Sequence, residues 1–238
     1  DVGNFTVGFV DVAVPAAGFP ISASRTYDSR IRFEQGDFGF GWNLAVDGVK
    51  ISEAGVLGDG GFTQEIVQQS AELFQVTLRN TKDVTVSVTL PDGQVERFIL
   101  GYTAFITNNA NPGPLARTRV FFEPLPGTGT TSKLEALADN VVDIVPGEFG
   151  PITLHDRATG DLYDPSRYKL TFLDGTEYII DEKLGIQEIG DLVGNRITFS
   201  SDSIEHSDGR DLTMDRDDQD RIIKITDPAG GFLMYDYD

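Results

Sequence analysis

The sequence contains no cysteine among its 238 residues. This absence excludes disulfide bonds, thiolate zinc sites and cysteine nucleophiles. It fits a secreted bacterial protein that folds without oxidative cross-links, and a cytosolic protein can lack cysteine too. The missing cysteines therefore restrict the chemistry of the protein without fixing its compartment.

Positive charge is scarce in this chain. Lys and Arg number 19 against 38 Asp and Glu, which gives a formal net charge of −19 at pH 7. Nucleic acids and anionic membranes are polyanions, so this charge opposes binding to either. We therefore expect no nucleic-acid partner, and we expect solubility and an attraction for divalent cations.

Long apolar runs are also missing. No stretch approaches the roughly 20 apolar residues that a membrane-spanning helix needs, and no basic-then-apolar leader opens the chain. We expect no membrane insertion. The first residue is Asp1 and not Met, which we interpret as the start of an excised part of a larger protein. The expected partner is then the remainder of its own parent chain.

Turn residues and short apolar runs are abundant. The chain has 26 Gly and 11 Pro between apolar segments, and its 16 Phe argue against disorder. Asp-Gly between alternating apolar runs is a strong hairpin signal, and it occurs at Asp92-Gly93, Asp174-Gly175 and Asp208-Gly209. The sequence therefore predicts an all-β protein built from antiparallel β-hairpins.

Local patterns predict short strands near the N-terminus. Asn4–Val14 alternates apolar and polar residues, Ile21–Tyr27 follows as a second strand, and Leu44–Ile51 leads back as a third. Helix signals are few: Ser132–Ala138 predicts one or two helical turns, and Thr63–Leu73 is ambiguous.

The end of the chain repeats itself. Leu184–Asp202 aligns without a gap on Asp220–Asp238, a shift of 36 residues. The matched positions carry the same or similar residues: Ile189 and Ile225, Asp191 and Asp227, Gly194 and Gly230, Phe199 and Tyr235. Such self-similarity predicts a unit that packs on copies of itself. Turn chemistry at Asp227–Gly230 makes that unit a hairpin.

A Tyr-Asp element recurs before the turns. It occupies Tyr178–Asp181, Met214–Asp217 and Tyr235–Asp238, and the stretch Asp217–Gly230 then follows the order turn, Arg, Ile-x-Asp-Pro-x-Gly, with Asp220 where glycine is usual. Here the chain resembles the RHS or YD-repeat family of bacterial toxin shells, large surface proteins and animal teneurins. Upstream segments are similar to the part that introduces the repeats in that family: Ala17–Ile21, Arg25–Ser29 and Gly36–Trp42.

This resemblance implies a strip of antiparallel hairpins, which in the family spirals into a hollow shell. It divides the chain into an introductory β segment (1–50), a less regular β-rich insertion (51–160) and YD-repeat hairpins (161–238). The implied function is non-catalytic: a structural fragment of a large secreted or surface-displayed protein, forming part of a β-shell or stalk. An adhesin-type module that recognises a glycan or a protein stays open as the alternative.

One acidic cluster is a metal-site hypothesis. Oxygen ligands at alternating positions suit calcium, and four aspartates are closely spaced at Asp215, Asp217, Asp218 and Asp220. The repeat register explains Asp217 equally well as an ordinary turn aspartate. No other cofactor is expected.

Aromatic residues near the N-terminus suggest a second site. Tyr27, Phe40 and Trp42, with Arg25 beside them, could form a platform on which a sugar ring stacks, or they could pack the first hairpin. For catalysis, only His155 and His206 lie near an aspartate, and no nucleophile motif accompanies them. We therefore expect no catalytic residues.

Overall fold

The computed structural model of the chain describes residues 5–44, 49–90, 93–109, 115–147 and 151–237. In these ranges the regular elements are β-strands and two short 3₁₀ helices, Ser29–Ile31 and Leu57–Asp59. The first strands are β1 (Thr6–Val14), β2 (Ile21–Asp28), β3 (Gln35–Gly36), β4 (Gly39–Phe40), β5 (Trp42–Leu44), β6 (Lys50–Glu53), β7 (Thr63–Gln68), β8 (Phe74–Arg79), β9 (Thr85–Thr89), β10 (Val95–Tyr102), β11 (Phe105–Thr107) and β12 (Arg117–Pro124). The others are β13 (Lys133–Ala136), β14 (Val141–Val145), β15 (Thr153–Asp156), β16 (Arg167–Thr171), β17 (Glu177–Asp181), β18 (Gly185–Gly190), β19 (Arg196–Phe199), β20 (Ser203–His206), β21 (Asp211–Arg216), β22 (Ile222–Thr226) and β23 (Phe232–Met234).

The chain divides into two compact units. Unit 1 comprises residues 1–49, 174–179 and 184–238, and unit 2 comprises residues 50–173 and 180–183. Unit 1 thus combines the introductory segment with most of the repeat segment. Both units are built from antiparallel strands, which confirms the all-β, hairpin-based fold predicted from the sequence.

Unit 1 contains an antiparallel ladder that runs without interruption from β18 to β23. Each strand pairs with the next one in the chain, so every connection is a hairpin. The strands alternate buried and solvent-facing residues, as β21 shows with Leu212 and Met214 inside and Thr213 outside. The predicted strip of hairpins is confirmed in this stretch.

The introductory segment forms a second layer of unit 1. Strand β2 lies between β1 and β5, and its residues Ile21 and Ala23 are buried. They share one apolar cluster with Phe38 and with residues from four ladder strands: Ile197, Ile204, Leu212, Met214, Ile222 and Ile225. The burial of this cluster provides the main hydrophobic stabilisation of the ladder.

Unit 2 holds the irregular insertion. Its largest sheet has the order β15-β14-β12-β10-β9-β6, and β11-β8-β7 form a second sheet. Strands β9 and β10 pair as the Asp92-Gly93 hairpin signal predicted, although Pro91 and Asp92 themselves lie outside the described residues. Buried side chains include Phe62, Tyr163 and Tyr168.

Two local predictions are wrong. Ser132–Ala138 contains strand β13 and no helix, because Leu134 is buried opposite Leu170 of β16 in an antiparallel pair. Tertiary pairing here overrides local propensity. Leu44–Ile51 is also not one strand, because Val49, directly before β6, is not in a strand; Leu44 belongs to β5, and residues 45–48 lie outside the described ranges. The ambiguous stretch at Thr63 is strand β7.

Candidate functional site

Three turns of the hairpin ladder share one geometry. Asp191, Asp217 and Asp227 each open a turn, and in each the Oδ1 atom accepts hydrogen bonds from the backbone N–H two and four residues later, at 2.7–3.0 Å. The backbone N–H of the same aspartate also donates to the carbonyl four residues later. The aspartate carboxylate therefore closes each hairpin, as an Asx turn does. This confirms Asp217 as a turn residue.

The fourth position of these turns requires a positive φ. Gly194 and Gly230 have φ of 96° and 87°, and Asp220 has φ of 63° at the same place. Asp220 is the one non-glycine residue with positive φ among the described residues. Its left-handed backbone conformation explains why glycine is the expected residue there.

His206 takes the aspartate's place in a fourth turn. Its Nδ1 lies 3.1 Å from the backbone N of Asp208, and Gly209 has φ of 87° at the fourth position. Its Nε2 lies 3.0 Å from the carbonyl oxygen of Ala17, and its side chain is fully buried. The ring thus links the ladder to the introductory layer of unit 1, and it is not available to a substrate.

The four aspartates of the calcium hypothesis do not converge on one point. Asp217 forms an ion pair with Arg221 at 2.7 Å, and Asp215 lies 3.3 Å from Lys224. Asp218 and Asp220 are exposed. No group of three or more His, Asp or Glu side chains converges as metal ligands anywhere in the described ranges. The structure therefore does not bring these four residues together as a calcium site.

Tyr27 and Trp42 of the predicted carbohydrate platform do lie together. Their ring centroids are 5.3 Å apart, and Phe9 stacks on Trp42 at 6.2 Å. Phe40, by contrast, lies in β4 and is 63% exposed. The structure therefore assembles two of the three predicted residues and adds Phe9.

A charged cluster that the sequence did not reveal borders these rings. The guanidinium of Arg25 lies 5.5–5.8 Å from the ring centroids of Phe9, Trp42 and Tyr235. It also pairs with Asp11 at 2.9 Å, and the Tyr235 hydroxyl donates to the same carboxylate at 2.8 Å. Burial and this hydrogen bond raise the pKa of Tyr235. A cavity of about 400 Å³ opens beside the cluster.

Unit 2 contains a second unforeseen cluster. The Tyr168 hydroxyl donates a hydrogen bond to Glu53 Oε1. Burial, with added repulsion from Asp164 and Glu182, raises the pKa of Glu53 to about 8. Glu53 is therefore largely protonated at neutral pH, and a neutral carboxyl can lie among acidic neighbours without repelling them.

His206 Nδ1 also lies 2.9 Å from the Asp208 carboxylate, whereas His155 does not pair with Asp156. The Nδ1 of His155 lies 2.8 Å from the carbonyl of Gly160, and Nε2 lies 2.9 Å from the Thr153 hydroxyl. Asp156 instead accepts from the backbone N–H groups of the following turn, which lowers its pKa. Both His155 and Asp156 therefore stabilise the turn that follows β15.

Comparison of the chain with models of known protein families and with curated proteins gives no match. Within the described ranges, helices long and apolar enough to cross a membrane are absent. The geometry of the turns and clusters is therefore the basis for any functional conclusion.

Proposed function

We propose that this chain is a non-catalytic structural segment of a large secreted or surface-displayed protein of the RHS or YD-repeat type. Its hairpin ladder would form part of a β-shell or stalk together with the remainder of the parent chain. The observation that carries the proposal is the repeated turn geometry, in which Asp191, Asp217 and Asp227 bond the backbone in the same way. Repetition of one local geometry is typical of an extended wall.

The partners of the ladder side chains support a structural role. His206 and Arg216 contact the introductory layer of unit 1, and Arg216 lies 2.8 Å from Asp37. Polar groups in such positions orient strands. The apolar cluster that contains Ile21 and Leu212 includes residues of both layers. The ladder and the introductory layer therefore share one core.

Native-state hydrogen exchange tests this proposal. We expect the backbone amides of β19–β22 to exchange only through global unfolding, because a wall segment must not open locally. The variant Gly194→Val places a β-branched residue at a φ of 96° in the turn between β18 and β19. In this variant the amides of β18 and β19 should lose protection before those of the other ladder strands. Rapid exchange throughout β19–β22 in the unaltered chain would contradict a structural wall.

Glycan recognition is a second candidate function, and the cavity beside Trp42 favours it. Aromatic rings and the Arg25–Asp11 pair line this cavity, and sugars bind to surfaces that combine apolar ring faces with planar polar groups. A glycan array with the unaltered chain tests it. Trp42→Ala should abolish any binding, whereas Phe40→Ala, outside the cluster, should not. An array without any bound glycan would remove this candidate.

A further inference from the structure

Strand β23 differs from the strand that it matches in the repeat. Phe232, Leu233 and Met234 are 60%, 40% and 65% exposed. Ile197 of β19 stands at the position of Leu233 under the 36-residue shift, and it is only 4% exposed. Ile197 belongs to the same buried cluster as Ile204 of the neighbouring strand β20. An apolar position that is buried in one copy of the repeat is therefore left open in the other.

The backbone of β23 has an open edge at the corresponding place. Strand β19 pairs with β18 on one side and with β20 on the other, and the carbonyl of Arg196 accepts a hydrogen bond from the N–H of Ser207 at 2.9 Å. In an antiparallel sheet every second residue directs its backbone N–H and carbonyl to the same neighbouring strand, so the backbone groups of Thr198 face β20 as those of Arg196 do. Met234 occupies the position of Thr198. Within the described residues β23 pairs with β22 alone, so the Met234 N–H and carbonyl face an unpaired edge.

We propose that the open edge of β23 binds one further antiparallel strand with the residue pattern of β20. The register in the first copy defines this occupant: Phe199 lies opposite Ile204, and Thr198 lies opposite Glu205. The incoming strand therefore places an apolar side chain opposite Tyr235 and a polar one opposite Met234. This inference rests on the proposed structural function, and it names the partner of the ladder.

Charge argues against a second copy of this chain as the occupant. The chain carries a formal net charge of −19, and Asp236 is the second residue after the edge strand. Bringing two such edges together would bring two strongly acidic chains into contact, which their net charges oppose. A strand of the β20 type instead adds an isoleucine to the apolar side of the edge and continues an established ladder.

An extension of the chain tests the proposal. Asp202 aligns with Asp238, so residues Ser203–Arg216 appended directly after Asp238 continue the repeat in register. We expect the Met234 amide to exchange at least about tenfold more slowly in the extended chain than in the unaltered one, by NMR. The control is the same extension with Ile204→Asp and Leu212→Asp in the appended copy, which should leave Met234 exposed.

The outcomes distinguish this inference from the proposed function. Unchanged exchange at Met234, with β19–β22 still protected, would overturn the inference and leave the structural role intact. Rapid exchange of β19–β22 themselves would overturn the structural role. A concentration-dependent dimer of the unextended chain that protects Met234 would assign the edge to a second copy, and would overturn the occupant proposed here.

Discussion

At the scale of single residues, one backbone requirement explains several side chains. In four turns of the ladder the first residue accepts backbone hydrogen bonds and the fourth adopts a positive φ, whereas no residue with positive φ occurs in the turn at 200–203 between β19 and β20. Aspartate and glycine meet these demands in two turns, His206 replaces the aspartate in another, and Asp220 replaces the glycine. The backbone geometry of the turn therefore selects the residues at its first and fourth positions, and a catalytic or metal-binding role is not needed to explain them.

Replacing Asp220 with glycine should stabilise the protein. The φ of 63° is unfavourable for aspartate and free for glycine, and we expect a gain of about 0.5–1 kcal/mol in the free energy of unfolding. Urea denaturation followed by circular dichroism measures it. Asp218→Gly is the matched control, since Asp218 lies in the same turn without a positive φ, and it should not stabilise. A destabilised Asp220→Gly variant would mean that the carboxylate itself is needed.

Glu53 should make the stability of the protein depend on pH. Its pKa of about 8 in the folded state exceeds its ordinary value, so the folded protein binds the proton more tightly than the unfolded chain. This contribution is present at low pH and is lost as the pH rises through about 8. Solvent screening reduces the effect of a partly exposed group, and we expect a loss of about 1–2 kcal/mol relative to Glu53→Gln.

The measurement is chemical denaturation of both proteins from about pH 5 to about pH 9. The difference between unaltered chain and Glu53→Gln isolates the carboxyl from other titrating groups. Glu65→Gln, at an exposed glutamate of the same unit, is the control and should keep the full pH dependence. Parallel curves for the unaltered chain and Glu53→Gln would show that Glu53 does not hold its proton.

At the scale of elements, the sequence predicted hairpins better than it predicted their surroundings. The sequence predicts two turns correctly because turn formation depends on local residues: the Asp-Pro-Ala-Gly turn after β22 and the Asp-Gly turn after β20. The cluster of Asp11, Arg25 and Tyr235 was not, because the tyrosine is 224 residues from the aspartate and nothing in either neighbourhood indicates the contact. The strand at Leu134 was missed for the same reason, since its partner lies in β16.

The apolar cluster of unit 1 should account for most of the stability of the ladder. Leu212 is fully buried between the two layers, and truncation leaves a cavity. We expect Leu212→Ala to lower the free energy of unfolding by about 2–4 kcal/mol in urea denaturation. Leu192→Ala is the matched control, because Leu192 lies in a turn of the same ladder and is 80% exposed, and its effect should stay below about 0.5 kcal/mol. Equal effects of the two substitutions would contradict this core.

At the scale of the whole molecule, part of the acidity has a structural source. Each turn of the ladder that uses Asp191, Asp217 or Asp227 adds a negative charge for the sake of a backbone hydrogen bond. A repeat built from such turns becomes acidic as it lengthens, without any need for a cation-binding site. The net charge of −19 therefore indicates self-repulsion more directly than it indicates a metal.

Added salt should consequently stabilise the protein. Between about 10 mM and about 300 mM NaCl the Debye length falls several-fold, which screens the repulsion among the excess carboxylates. We expect the melting temperature to rise by about 3–6 °C in calorimetry. Calcium chloride at equal ionic strength separates screening from binding: the same rise in both salts is expected if the aspartates act only as turn residues. A larger rise with calcium that disappears in Asp215→Asn with Asp218→Asn would instead establish a site at this cluster, because neither of these exposed carboxylates closes a turn.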